Sequence, residues 1–268
     1  MHEYFVEKPV LLIDLDGVIY QGGDAIAGAV DTINWIHSSG IPHLYVTNTT
    51  SKSRGSLLDK FNQIGFDARV NDIFTPIVAA SQWLNRRRLK RVVFFVPENA
   101  LTEFEGFQQL DYRTAKSVEA IVVGDLGEEW TYPKLNQAFR LLMAEPRPVL
   151  IALGLTRFWQ AADGLRLDVA PFVKALEYAS SSESEVIGKP SLAFFESALG
   201  LLNAEAKNAI MIGDDIVGDI EGAQKAGMRA ILVRTGKYRE QDLSGDIKPD
   251  VVLDSIANLP TWWADNIT

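Results

Sequence analysis

The chain of 268 residues contains no cysteine. Disulfide scaffolds, thiolate zinc sites and cysteine nucleophiles are therefore excluded together. Histidine is scarce: His2, His37 and His43 are the only three, and a three-histidine zinc centre would have to use all of them, including one at the frayed N-terminus. No apolar run approaches the roughly 20 residues of a membrane span, and the first nine residues are polar and mixed in charge rather than signal-like. A cytoplasmic protein with no membrane partner is expected, and the Asn48-Thr49-Thr50 triplet does not then read as a glycosylation site. Positive charge is also in deficit. A net charge of −9 gives nucleic-acid phosphates no general attraction, so no nucleic-acid partner is expected.

What the chain does have is ordinary for a folded protein: 47% hydrophobic and 23% charged residues, at a length that accommodates two domains. Short apolar runs alternate with amphipathic stretches. Strands are predicted over 11–14, 43–47, 91–96, 120–123, 149–153, 185–188, 209–213, 229–233 and 250–253. Helices are predicted over 25–39, 52–64, from Thr75-Pro76 onward, and over 131–143, 171–179, 191–201 and 216–226, with a short last helix. Ala162-Asp163-Gly164 reads as a hairpin turn within 158–167, and the serine tract 180–184 as an exposed, flexible or capped loop. Such β-α alternation predicts an α/β fold with a Rossmann-like, doubly wound parallel sheet, whose ligands gather at the carboxyl ends of the strands.

Four predicted strands end in chemically active residues. Val10-Leu11-Leu12-Ile13 runs into Asp14 and Asp16 before Gly17. Thr47 and Asn48 follow the second strand, Lys189 follows Gly188, and Asp214 and Asp215 follow Gly213. Carboxylates delivered by apolar strands are unfavourable to bury unless charge or metal pairs with them. Four acids in one cleft would repel one another, and a hard divalent cation with oxygen ligands, Mg²⁺, relieves that. A metal, a lysine, small donors and a free carboxylate together suit a transferring phosphoryl group. The stretch between the second and third motifs carries no comparable motif and reads as an inserted domain. The core is placed at 1–82 and 185–268, and the insertion at 83–184.

The four motifs, Asp14-Leu15-Asp16-Gly17-Val18, Val46-Thr47-Asn48, Gly188-Lys189-Pro190 and Gly213-Asp214-Asp215-Ile216-Val217-Gly218-Asp219, resemble in content and order those of the haloacid dehalogenase-like phosphatases. The resemblance implies that Asp14 attacks phosphorus and forms an aspartyl-phosphate. It implies that Asp16 serves as general acid and then base, with its backbone carbonyl on the metal. Thr47 and Asn48 would bind the phosphoryl oxygens, Lys189 would offset charge on nucleophile and phosphate, and Asp214 would ligate Mg²⁺ beside Asp14. Asp215 would sit on the metal or its waters, and Asp219 would orient Lys189 or a metal-bound water. The position of the insertion resembles the α/β cap of the NagD-like subgroup, and residues 124–130 and 165–178 look closest to its phospholysine phosphohistidine inorganic pyrophosphate phosphatase branch. That resemblance implies a small phosphorylated substrate and pairing of two copies through the cap. Thr49-Thr50 departs from the asparagine, serine or proline of many relatives.

Plainer readings compete at each motif. Asp-x-Asp-Gly occurs in calcium loops, but an EF-hand needs glycine sixth and glutamate twelfth, where this chain has glycine fourth and Ala25 twelfth. Thr47 alone would be a turn former, Lys189 a solvated lysine, and Gly213-Asp214-Asp215 a capped helix start. The basic run Arg86 to Arg91 reads as a solvated helix end that complements the dipole. Of the tryptophans, Trp159 stands beside Arg157 before the hairpin turn, where a leaving group could be read, and Asp125 is a candidate of the same kind. A phosphotransferase would need a second acceptor, which nothing marks. A non-catalytic phosphate-binding protein has no physical reason to keep like charges buried together. Sugar phosphate, nucleotide, pyrophosphate and phosphoramidate all remain open as substrates.

Overall fold

Every residue of Val10–Asp14 is buried, as a strand covered on both faces and both edges must be. In a computed structural model describing residues 9–161 and 163–267, this strand lies inside a six-stranded sheet. The order is Val251–Leu253, Arg229–Val233, Ala209–Gly213, Val10–Asp14, His43–Val46, Ile73–Phe74, and every pairing is parallel. From Val10–Asp14 the chain builds outward first to one side and later to the other. The reversal falls between Val10–Asp14 and Ala209–Gly213, the kind of switch point at which open α/β sheets leave a crevice for ligands. Asp14 stands in register with Val46 and Ile13 with Ile212, so the residues that follow all three strands emerge side by side.

This sheet belongs to one of two compact units, composed of Met1–Thr47, Arg54–Phe74 and Lys189–Thr268. Its apolar core includes Leu11, Ile13, Ile33, Ile212 and Trp263. At one edge Phe61 stacks on Phe66 at 4.5 Å and meets the edge of Tyr45 at 5.6 Å. The second unit, Asn48–Ser53 with Thr75–Gly188, has its own parallel sheet in the order Ser184–Val186, Val149–Ala152, Ala120–Val123, Arg91–Phe95, Gln108–Gln109. There the Trp130 ring is sandwiched between Phe95 and Phe172 at 5.3 and 5.0 Å. A separate antiparallel hairpin pairs Phe158–Ala161 with Gly164–Leu167. No helix among the described residues is long and apolar enough to cross a membrane.

Several elements differ from the sequence reading for local reasons. The helix expected from residue 25 begins at Ala29, because Tyr20–Gln21 and Asp24–Ala25 pair as a small hairpin and Gly28 adopts φ 78° ahead of the helix. The helix expected from Lys52 begins at Arg54. Val169–Ser180 starts two residues earlier than expected because the Asp168 carboxylate accepts a hydrogen bond from the Val169 amide at 2.7 Å. The serine tract is tied down: Ser180 is buried and donates to the Leu176 carbonyl, and Glu177 accepts from both the amide and the hydroxyl of Ser184. The helix expected over 216–226 opens as a π-helical turn, Ile216–Glu221. Ile73–Phe74 and Gln108–Gln109 are too short to carry a readable period. His2 and Ala162 lie outside the described residues.

Because Phe61 is fully buried among aromatic neighbours, Phe61→Ala is expected to destabilise the protein by about 3–5 kcal/mol, measured as a shift in the urea midpoint at unchanged m-value.

Candidate active site

The carboxyl ends of the central strands carry a buried ionic group. Lys189 is 6% exposed. Its Nζ donates to Asp14 Oδ1 at 2.6 Å and to Asp219 Oδ1 at 2.7 Å. Asp14 ends the first strand, Asp219 lies in the turn that follows Ala209–Gly213, and Lys189 precedes the helix Leu192–Leu202, which Ser191 caps through the Phe194 amide. Asp219 can lie against the strand because residue 213 is glycine: a Cβ there would collide with the Asp219 side chain. Burial pulls the Lys189 pKa down, but the two carboxylates outweigh it and hold the ammonium above its ordinary value.

Asp214 completes the group. It is 1% exposed, and one carboxylate oxygen from each of Asp14, Asp214 and Asp219 lies within 4.8 Å of the others. Burial, then the charges of Asp14 and Asp219, push the Asp214 carboxyl up to about 8. Its Oδ2 accepts from the Lys237 amide at 2.7 Å, whereas its buried Oδ1 has no hydrogen-bond partner among the described residues. Three clustered acids, only two of them paired with the ammonium, and an orphaned carboxylate oxygen fit a hard divalent cation held by oxygen donors. The residues present therefore suit Mg²⁺.

Asp215 is turned to a different task. Its Oδ1 accepts from the Val217 and Gly218 amides at 3.1 and 2.9 Å, and its Oδ2 from Lys237 Nζ at 3.1 Å. Burial acts to raise its pKa, but the Lys237 ammonium and these amides prevail and keep the carboxyl below its usual value. Thr47, buried, follows the strand beside Asp14 and donates its amide to the Phe74 carbonyl. Asp16 is exposed, and its carboxylate is not part of the buried acid group. It lies in the turn where Gly17 donates its amide to the Tyr20 carbonyl at 2.7 Å. Burial, with Asp16 and Asp14 next, raises the Tyr20 pKa.

The structure brings Asp14, Lys189, Asp214 and Asp219 together within the first unit. Asn48, Asp125, Arg157 and Trp159 belong to the second. There Asp125 accepts from the Gly127 amide at 3.1 Å and donates its own amide to Thr50 Oγ1 at 3.0 Å. Arg157 lies over the Phe158 ring, and Trp159 pairs with Arg166 across the hairpin with 43% of its surface exposed. Sequence reasoning missed Thr235-Gly236-Lys237. Thr235 donates its hydroxyl to the Gly17 carbonyl, and Gly17 and Gly236 both take positive φ, packed so closely on Asp214 that a Cβ on either would strike its carboxylate. The available signal was a glycine just beyond Arg229–Val233, the strand neighbouring Ala209–Gly213.

Comparison with known proteins agrees with this geometry. Residues 11–108 match the haloacid dehalogenase-like hydrolase family model, and residues 186–259 match a second, HAD-hydrolase-like model. The chain is 41% identical over 252 residues to the phospholysine phosphohistidine inorganic pyrophosphate phosphatase of Homo sapiens, covering 92% of this chain and 91% of that protein. The p-nitrophenyl phosphatase from Archaeoglobus fulgidus superposes with a TM-score of 0.87 at 25% identity, covering 95% of this chain and 99% of that one. NagD from E. coli K-12 shares the fold, with a TM-score of 0.85 at 22% identity, covering 93% and 97%. The chain belongs to the haloacid dehalogenase-like hydrolase family.

A cation entering here would have to displace a proton from Asp214, so Mg²⁺ affinity is expected to rise as pH rises toward 8. The gain in Tm on adding Mg²⁺ over EDTA is expected to widen from pH 6 to pH 8 and to be lost in Gly17→Ala, whose new methyl group displaces the Asp214 carboxylate. Scanning fluorimetry at matched ionic strength checks both.

Proposed function

We propose that the protein is a Mg²⁺-dependent phosphatase that hydrolyses a small phosphorylated molecule through an aspartyl-phosphate on Asp14. The observation that carries this reading is the Asp14–Lys189–Asp219 ion group standing beside the orphaned oxygen of Asp214. Bound Mg²⁺, held by Asp14, the Asp16 backbone carbonyl and Asp214, would supply charge neutralisation at the transferring phosphoryl oxygens.

The chain's own residues do the rest. Lys189 takes up Asp14 Oδ1, which leaves Oδ2 to attack phosphorus in line with the departing oxygen. Lys189 also lowers the repulsion between an anionic nucleophile and an anionic phosphate. Asp219 holds that ammonium in place from its far side. Thr47 and the Asn48 amide region donate to the phosphoryl oxygens. Asp16, free of the buried acid group, gives its proton to the leaving oxygen and then takes one from the water that attacks the acyl-phosphate. Its exposure in the Gly17 turn suits a group that meets both leaving group and solvent. The second unit acts as a cap, with Asp125, Arg157 and Trp159 as candidates for reading the leaving group. The P–N and pyrophosphate chemistry in the name of the human relative extends the candidate substrates beyond monoesters.

Asp14→Asn is expected to abolish phosphate release from p-nitrophenyl phosphate while the circular dichroism spectrum at 25 °C stays native-like. Asp16→Asn is expected to reduce kcat by about 10²–10⁴-fold. EDTA is expected to stop turnover and excess Mg²⁺ to restore it. Wild-type rates in Asp14→Asn, or full activity in EDTA, would sink the proposal.

A further inference from the structure

Lys237 occupies a place in the site that the phosphatase mechanism does not use. Its backbone is fixed at the metal side: its amide donates to Asp214 Oδ2, and Thr235, two residues earlier, is bonded to the Gly17 carbonyl. The side chain starts from that fixed point and leads outward, 71% exposed, to place Nζ 3.1 Å from Asp215 Oδ2. Desolvation acts to lower its pKa, but Asp215 and then Asp14 raise it further, so the ammonium stays charged within the field of the nucleophile. The neighbouring cations are committed elsewhere. Arg234 pairs with Glu240, and Arg239 folds back onto the carbonyls of Lys237 and Tyr238.

The ion pair with Asp215 does not account for this arrangement by itself. A pair this exposed adds little to stability, so the ammonium can leave Asp215 for a ligand oxygen at little loss. The Val217 and Gly218 amides keep Asp215 Oδ1 bonded, and Oδ2 belongs to a side chain with 31% of its surface exposed, where water can replace the ammonium. Charge balance gives the lysine a reason. With Asp16 protonated as the general acid and Asp14, Asp214, Asp215 and Asp219 ionised, the site retains a net negative charge even after Lys189 and a divalent cation are counted. A substrate bearing one phosphoryl group meets that charge beside the metal. A substrate with a second anionic group also brings charge outward, toward the exposed Lys237 side chain, which offers three donors on a flexible stem.

We propose that Lys237 is a specificity-determining residue whose ammonium binds the second anionic group of a substrate with a charged leaving group, the class that includes inorganic pyrophosphate. The proposal rests on the phosphatase reading above. The test compares wild type, Lys237→Ala and Lys237→Arg on pyrophosphate and p-nitrophenyl phosphate with saturating Mg²⁺. Alanine keeps the backbone amide that holds Asp214, so it removes only the ammonium. In Lys237→Ala the ratio of kcat/KM for pyrophosphate to that for p-nitrophenyl phosphate is expected to fall about tenfold, mostly through KM, and in Lys237→Arg to stay within about twofold of wild type. An unchanged ratio in Lys237→Ala, or an equal loss in Lys237→Arg, overturns the proposal. If the wild type hydrolyses neither compound, the phosphatase reading fails instead. Calorimetric titration of pyrophosphate against phosphate then decides the role of the lysine by the same ratio, now of affinities.

Discussion

A lysine ammonium shut away from water between two carboxylates is the constraint on which the rest of this site depends. Burying Lys189 alone would be prohibitive, and burying Asp14 and Asp219 without it equally so. The three groups are stable only together, at 2.6 and 2.7 Å. They come from segments 175 and 30 residues apart in the chain, so forming the group locks the first strand, the turn after Ala209–Gly213 and the start of Leu192–Leu202 into one arrangement. Adding Asp214 leaves the cluster with more negative than positive charge. The imbalance appears as a carboxyl pushed up to about 8 and an oxygen with no partner among the described residues, and both suit a cation.

The same site shows how much geometry is set by side chains that are missing. Gly17, Gly213 and Gly236 surround the two acids at contact distance, and a methyl group on any of them would displace a carboxylate. The acids are held in position by neighbouring backbone as well as by charge. The amide of Lys237 and the hydroxyl of Thr235 close this shell from a third loop. A divalent cation demands fixed oxygen positions, and backbone-to-carboxylate packing supplies them more rigidly than flexible side chains would.

Much of this was legible in the primary sequence, for identifiable reasons. The apolar runs of Val10–Asp14 and Ala209–Gly213 end abruptly in acids, and Thr75 and Thr131 announce helix starts with proline close behind, so these elements could be read directly. The acids at 14 and 214 and the lysine at 189 could be grouped because a parallel sheet sends strand ends to one edge. Other features resisted reading because their signals are tertiary. Lys237 follows a strand without any motif of its own. The separation of Asp215 from the carboxylate cluster depends on a π-helical turn that no periodicity marks. The early start of Val169–Ser180 and the tethering of Ser180 and Ser184 depend on single carboxylate contacts.

The sequence by itself determined the fold class, the family and the residue types available for chemistry, because β-α alternation and ordered strand-end motifs are local patterns that survive without coordinates. Tertiary structure alone decided which acids share a lysine, which oxygen is left open for a cation and which surface lysine reaches Asp215 beside that cluster. Those depend on strand register and on loop packing at distances of about 3 Å, and nothing in the spacing of residues along a chain encodes them.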